Sequence, residues 1–187
     1  MIRWYSTPRI WEPALASDLN KSFPEHREKN SGMKKLIFVR HGKAEEISPG
    51  LSDQERSLTV KGKIISRMMA AKLKEIEKSL PAIITSHAFR AYETAVIFAT
   101  ELGVESDKII IESDIYYRMN MKHLPSVISR AADKYDTIIL FGHNPSFTEM
   151  ADSLASEGCD FIPKSGVACI SFKMNSWSGI KSRSGKL

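Results

Sequence analysis

Apolar residues in this chain fall into short unbroken runs alternating with longer stretches where they recur at helical spacing. Lys35 to Val39, Ala82 to Ser86, Ile109 to Ile111, Thr137 to Phe141 and Val167 to Lys173 read as buried strands. Between them, Val60 to Leu80 carries Ile64, Ile65, Met68, Met69, Leu73, Ile76 and Leu80 as a core-facing helical stripe, with Thr59 as N-cap and Pro81 as the stop. Further helices are predicted over Phe89 to Leu102, Lys122 to Lys134 and Pro145 to Ser156. Strands alternating with helices predict an α/β fold, a three-layer α/β/α sandwich around a mostly parallel sheet.

Chemistry gathers where the strands end. The first strand runs into Arg40-His41-Gly42, the second into Ser86-His87 with Arg90 in the next helix, and the fourth into Gly142-His143-Asn144-Pro145. In open α/β sheets ligands bind outside the carboxyl ends of strands, so Arg40, His41, Arg90 and His143 are expected on one edge. A first helical turn adds unpaired N–H groups that favour an anion. Guanidinium donates two parallel hydrogen bonds to phosphate and stays charged, which lysine does not reproduce. A histidine attacking phosphorus must be neutral, with one ring nitrogen held by a backbone carbonyl, expected here from the Gly42 region. His143, by contrast, is expected to act as a cation against phosphate.

Arg40-His41-Gly42, Arg56 to Gly62, Thr85-Ser86 with Arg90-Ala91 and Thr94-Ala95, and Gly142 to Ser146 together resemble the histidine phosphatase superfamily, in particular its short SixA-like phosphohistidine phosphatase branch. These pieces keep the family's order from about Lys34 to about Lys173. The resemblance implies a phosphoglycerate-mutase-like fold and a metal-free phosphatase needing no cofactor. In it His41 becomes phosphorylated while Arg40, Arg90 and His143 surround the transferred group. Gly42, Ser86, His87 and Asn144 are then substrate-binding candidates. The leaving-group acid is not obvious, and Glu112 and Asp114 are the candidates for it. A weak acid suits a phosphoramidate, whose nitrogen is easily protonated, and so favours protein phosphohistidine over a small phosphorylated molecule. A small-molecule phosphomonoesterase, a phosphoglycerate-mutase-like transferase and a non-catalytic phosphate-binding adaptor are the alternatives. The short span between Arg40 and Arg90 argues against the transferase, and retention of both His41 and His143 against the adaptor. No Gly-rich segment ending in Gly-Lys-Ser/Thr exists, which excludes a P-loop kinase.

Composition adds bounds. The 187 residues are 42% hydrophobic and 26% charged, as in a soluble globular chain, with a net charge of +5 that attracts phosphorylated partners. Cys159 and Cys169 have no metal-ligand spacing and read as reduced thiols. Neither a nucleic-acid nor a membrane partner is expected, and the location is expected to be cytoplasmic. Residues 1–32 read as an extension, a flexible arm or an organelle presequence, the second half of that choice resting on Arg3 and Arg9 and opposed by Glu12, Asp18, Glu25 and Glu28. Residues 33–174 form the expected catalytic domain. Residues 175–187 read as a basic, loosely packed tail.

Overall fold

A computed structural model describes residues 32–187 apart from positions 118 and 132. The extension predicted over residues 1–32 therefore lies almost wholly outside the described residues. The strands are β1 (Met33–Arg40), β2 (Ala82–Thr85), β3 (Ile110–Ile111), β4 (Thr137–Gly142) and β5 (Val167–Lys173), and the helices are α1 (Val60–Ile76), α2 (Phe89–Leu102), α3 (Asp114–Tyr117), α4 (Leu124–Ser129) and α5 (Ser146–Leu154). They form one sheet of order β3-β2-β4-β1-β5. Every pairing is parallel except β1 with β5.

The unbroken apolar runs have a physical cause in this layering. Successive side chains of a strand face opposite ways, so a sheet covered on both faces needs apolar residues at every position. Leu36, Phe38, Ile84, Ile138 and Leu140 join a core with α3, α4 and α5, whereas Ile37, Val39, Ile83, Ile139 and Phe141 join a second core with α1 and α2. Burying each such side chain contributes about 1.5–3 kcal/mol.

Helix α1 follows the predicted period and buries Leu73 as predicted, but its packed face is shifted toward small residues. It ends at Ile76, and its buried positions are Gly62, Ser66, Ala70 and Leu73. Ile64, Met68, Ile76 and Leu80 are 52–71% exposed instead. The reason is close approach: a Cβ on Gly62 would run into the carbonyl oxygen of Lys43, and one on Gly42 would meet Ser66 Oγ at 2.8 Å. Only a small-residue face lets α1 lie against the loop after β1. Thr59 does cap the helix, its Oγ1 accepting from Gly62 N at 2.9 Å.

Two further expectations are corrected. Helix α4 stops at Ser129, because the residues beyond it are recruited by the C-terminus: Asp133 accepts from Trp177 N, and Tyr135 O accepts from Trp177 Nε1. The tail after residue 174 is accordingly not loose. Trp177 is 5% exposed within the core, and backbone bridges join Ser171 to Lys186 and Ala155 to Gly185. Lys34, fully buried at the start of β1, donates to Asp133 O, Tyr135 O and Asp136 Oδ1 and lies over the Trp177 ring. Among the described residues no helix is long and apolar enough to cross a membrane.

Candidate active site

The carboxyl ends of β1, β2 and β4 bring the expected side chains to one place. Arg40 closes β1, and His41 follows it, its N–H donating to Gly142 O. His41 Nδ1 lies 2.7 Å from the carbonyl oxygen of Gly42, the carbonyl expected from that region. That contact makes Nδ1 the protonated nitrogen and leaves Nε2 as the acceptor, a tautomer assigned from the network. Arg90, in the first turn of α2, donates its Nε to His41 Nε2 at 3.3 Å. The rings of His41 and His143 lie 5.0 Å apart, and His143 Nε2 is 2.9 Å from Ser86 Oγ.

Arg40 and Asn144 share an anchor. Arg40 Nη1 and Asn144 Nδ2 both donate to Ile162 O, at 3.1 and 3.0 Å. The guanidinium stacks 5.0 Å from the Phe161 ring, so the segment between Phe161 and Gly166 shapes this side of the hollow. Ser165, at φ 59°, directs its N–H to the carbonyls of Arg40 and His41. Thr94 on α2 accepts from Gly42 N and donates to Arg90 O, tying the two catalytic turns together. His87 packs between Tyr116 and Tyr117, with ring centroids 5.1 and 5.4 Å away.

A carboxylate not among the sequence candidates stands at the centre. Asp53 lies in a single 3-10 turn, Asp53–Glu55, of the loop after β1. Its Oδ2 accepts from Arg90 Nη2 at 2.7 Å and Tyr116 Oη at 2.8 Å, its Oδ1 from Arg56 Nη1 at 2.6 Å, and its backbone oxygen from Arg90 Nη1. Glu112 instead accepts from Arg130 Nε at 3.0 Å and from Asp114 N, and Asp114 opens α3. Burial alone would raise the Asp53 carboxyl, but the bonds from Arg56, Tyr116 and Arg90 outweigh it and hold it below the usual carboxylate range. It is an acceptor, not a proton donor, in this state.

Both histidines are driven neutral. Burial lowers His41 to about 4, against the pull of the Gly42 carbonyl and with help from Arg90, Arg40 and Lys164. Burial lowers His143 to about 3, helped by His41 and Arg90. These directions do not display the expected opposition of a neutral and a cationic histidine. A phosphate dianion beside His143 would raise its pKa, since an opposite charge favours the protonated ring.

Among the described residues, the buried side-chain polar atoms without a hydrogen-bond partner are Arg40 Nε, His87 Nδ1, His143 Nδ1 and Asn144 Oδ1. Leaving a buried polar atom unpaired costs about 1–3 kcal/mol, so such atoms are rare and gather where a ligand completes them. All four belong to this edge.

Residues 36–152 match the family model of the histidine phosphatase superfamily (branch 1). The chain belongs to that superfamily. Its membership makes it a phosphatase by class. A relative in Picosynechococcus sp. strain PCC 7002, an uncharacterized protein, is 29% identical over 122 residues, 64% of this chain and 72% of the relative. Among solved structures, SixA from Agrobacterium tumefaciens aligns with a TM-score of 0.64 at 20% identity, covering 75% of this chain and 92% of that one. The protein histidine phosphatase SixA complexed with tungstate gives 0.65 at 20%, covering 74% and 88%. A mycobacterial glucosyl-3-phosphoglycerate phosphatase gives 0.57 at 13%, covering 81% and 96%. At these identities the structural matches establish a shared fold, one that a protein histidine phosphatase and a glucosyl-3-phosphoglycerate phosphatase both have.

Proposed function

We propose that the protein hydrolyses phosphohistidine in proteins, through a phosphohistidine intermediate on His41, without metal or cofactor. The observation that carries this reading is the clustering of the unpartnered buried atoms of Arg40, His87, His143 and Asn144 around an imidazole whose unprotonated Nε2 faces the Arg90 guanidinium.

Phosphoryl transfer spreads charge over three equatorial oxygens, so catalysis is mainly positioning and fixed positive charge. Arg40 and Arg90 supply that charge here, and His143 adds to it when the anion's field protonates it. The Nε2 lone pair of His41 attacks phosphorus as the bond from phosphorus to the substrate nitrogen breaks. The departing imidazole takes a proton from solvent, and a water then attacks the phosphorylated His41 to release inorganic phosphate. Gly42, through its carbonyl, holds the nucleophile's tautomer, while Ser86 and Asn144 orient His143 and the Arg40 side of the hollow. His87 lines the outer wall.

Substrate class follows from the carboxylates. Asp53 is ionised and held by two guanidiniums, and Glu112 is paired with Arg130. A leaving group that protonates readily needs no acid from the protein, which favours a phosphoramidate over an alkyl ester. Steady-state kcat/KM for phosphohistidine is expected to exceed that for simple alkyl phosphates by about 10²-fold, the scale of an absent general acid. Equal efficiencies would defeat the phosphohistidine assignment, and Glu112→Gln or Asp114→Asn variants that lose alkyl phosphatase activity selectively would restore one of those residues as the acid.

A further inference from the structure

Large apolar side chains on the described surface are not scattered. Apart from Leu187 they fall into two groups, one along α1 and its end, the other at the carboxyl edge of the sheet. The edge group is Ile47 (65% exposed), Leu51 (37%), Phe89 (50%), Ile111 (55%), Tyr117 (61%) and Phe161 (67%). Three of them adjoin residues of the candidate site directly. Phe89 precedes Arg90 in α2, Tyr117 follows Tyr116, and Phe161 stacks on Arg40. Ile47 and Leu51 ride on the loop that carries Asp53, and Ile111 ends β3 at the same edge. The loop is tied to this wall, since Gln54 Nε2 donates to Tyr117 Oη at 2.7 Å.

A small phosphorylated metabolite gains little from such a border, because its polar body faces water or the hollow. A folded protein gains more: exposed aromatic and aliphatic side chains beside a polar centre are the composition of a protein–protein contact. Phe161 stacks on Arg40 and Tyr117 on His87, so a molecule that covers these side chains is the one that carries the phosphoryl group. A second copy of this chain would bring two cationic hollows face to face, which opposes self-association through this edge.

We propose that this apolar border is the docking surface for the folded protein whose phosphorylated side chain enters the hollow, with Phe89, Ile47 and Leu51 contacting the protein around that side chain. The proposal rests on the phosphatase reading above. It assigns the border to recognition and leaves the chemistry to the residues inside it.

The test compares two substrates on the full chain: a folded protein phosphorylated on a surface histidine, and free phosphohistidine. Phe89→Ala and the double variant Ile47→Ser/Leu51→Ser alter exposed positions that hold nothing in the hollow, and their melting temperatures are checked against the unaltered chain. With the protein substrate, kcat/KM is expected to fall about tenfold, mostly through KM, as for loss of a central contact. With free phosphohistidine it is expected to stay within about twofold by the same measure. An equal fall on both substrates, or no fall on either, overturns the docking surface while leaving the phosphatase intact. Absence of turnover on both substrates by the unaltered chain overturns the phosphatase reading itself and the border's role with it.

Discussion

Strand β1 carries a buried lysine near its start and a half-buried arginine at its end, and the two are treated in opposite ways. At its start Lys34 is fully buried and spends its ammonium on Asp133 O, Tyr135 O and Asp136 Oδ1. At its end Arg40 keeps one bond to Ile162 O, while its Nε is buried without a partner. A buried charge is tolerated when paired and fully hydrogen-bonded, and is costly otherwise. The amino edge of the sheet is therefore a finished structure, and the carboxyl edge, with its unpartnered buried atoms, is where the proposal above places the phosphoryl group. The account stands or falls on that asymmetry, which makes opposite demands on the same types of substitution.

The largest effects are expected at the carboxyl edge and on activity alone. Arg90→Lys should lower kcat/KM by about 10²–10³-fold, since a point charge replaces a planar fork that touches His41 Nε2 and must also hold phosphate. Its thermal stability should change little. A loss of melting temperature in proportion to the loss of rate would mean that Arg90 is structural.

At the amino edge the expected pattern is reversed. Lys34→Ala leaves Asp136 and the two carbonyls without their donor and should cost about 3 kcal/mol in denaturant unfolding, with kcat/KM per folded molecule unchanged. Trp177→Ala should cost a similar amount, about 3–4 kcal/mol, as a large buried side chain. A Trp177→Ala protein of full stability would return the C-terminal residues to the status of a loose tail.

The sequence displays the two edges unequally. The apolar strands, and the Arg and His residues released at their ends, are local features, so β1, β4 and β5 and the cluster of His41, Arg90 and His143 are legible from residue order. Asp53 is not: it lies in a polar loop, and only the folding back of that loop onto Arg90 and Tyr116 separates it from other surface acids. The face of α1 is hidden for a different reason, because Gly62, Ser66 and Ala70 carry too little hydrophobicity to compete with Ile64 and Met68 in a periodicity count. The fate of Trp177 depends on Lys34, Asp133 and Tyr135, distant in sequence, so the composition of the tail says nothing of its packing.

Smaller effects sharpen the electrostatic side. Asp53 takes up Arg90's donors, so Asp53→Asn should tighten inorganic phosphate severalfold in calorimetry, by roughly 1 kcal/mol, the scale of one charge near a protein surface. Weaker binding would show instead that Asp53 orients Arg90 for its anion. Acid titration gives the smallest signal. His41 and His143 take up protons in the unfolded chain near 6.5 but resist them in the fold down to about 4 and 3. Between those values the unfolded state binds more protons, so stability falls as pH falls through this window and is unaffected by the two rings above it. Asp53, lowered below its ordinary value, adds to the same acid loss. His143→Gln should flatten the slope of melting temperature against pH, and an unchanged slope would place the proton uptake elsewhere.

The most direct test of the unfinished edge is to quench a reaction with a phosphohistidine protein within its first turnover and to identify the phosphorylated atom in alkali-stable peptides by mass spectrometry and phosphorus NMR. Phosphate on Nε2 of His41, absent from His41→Ala, is the result this geometry requires. Phosphate on Nδ1, on His143 or on no residue at all would contradict it.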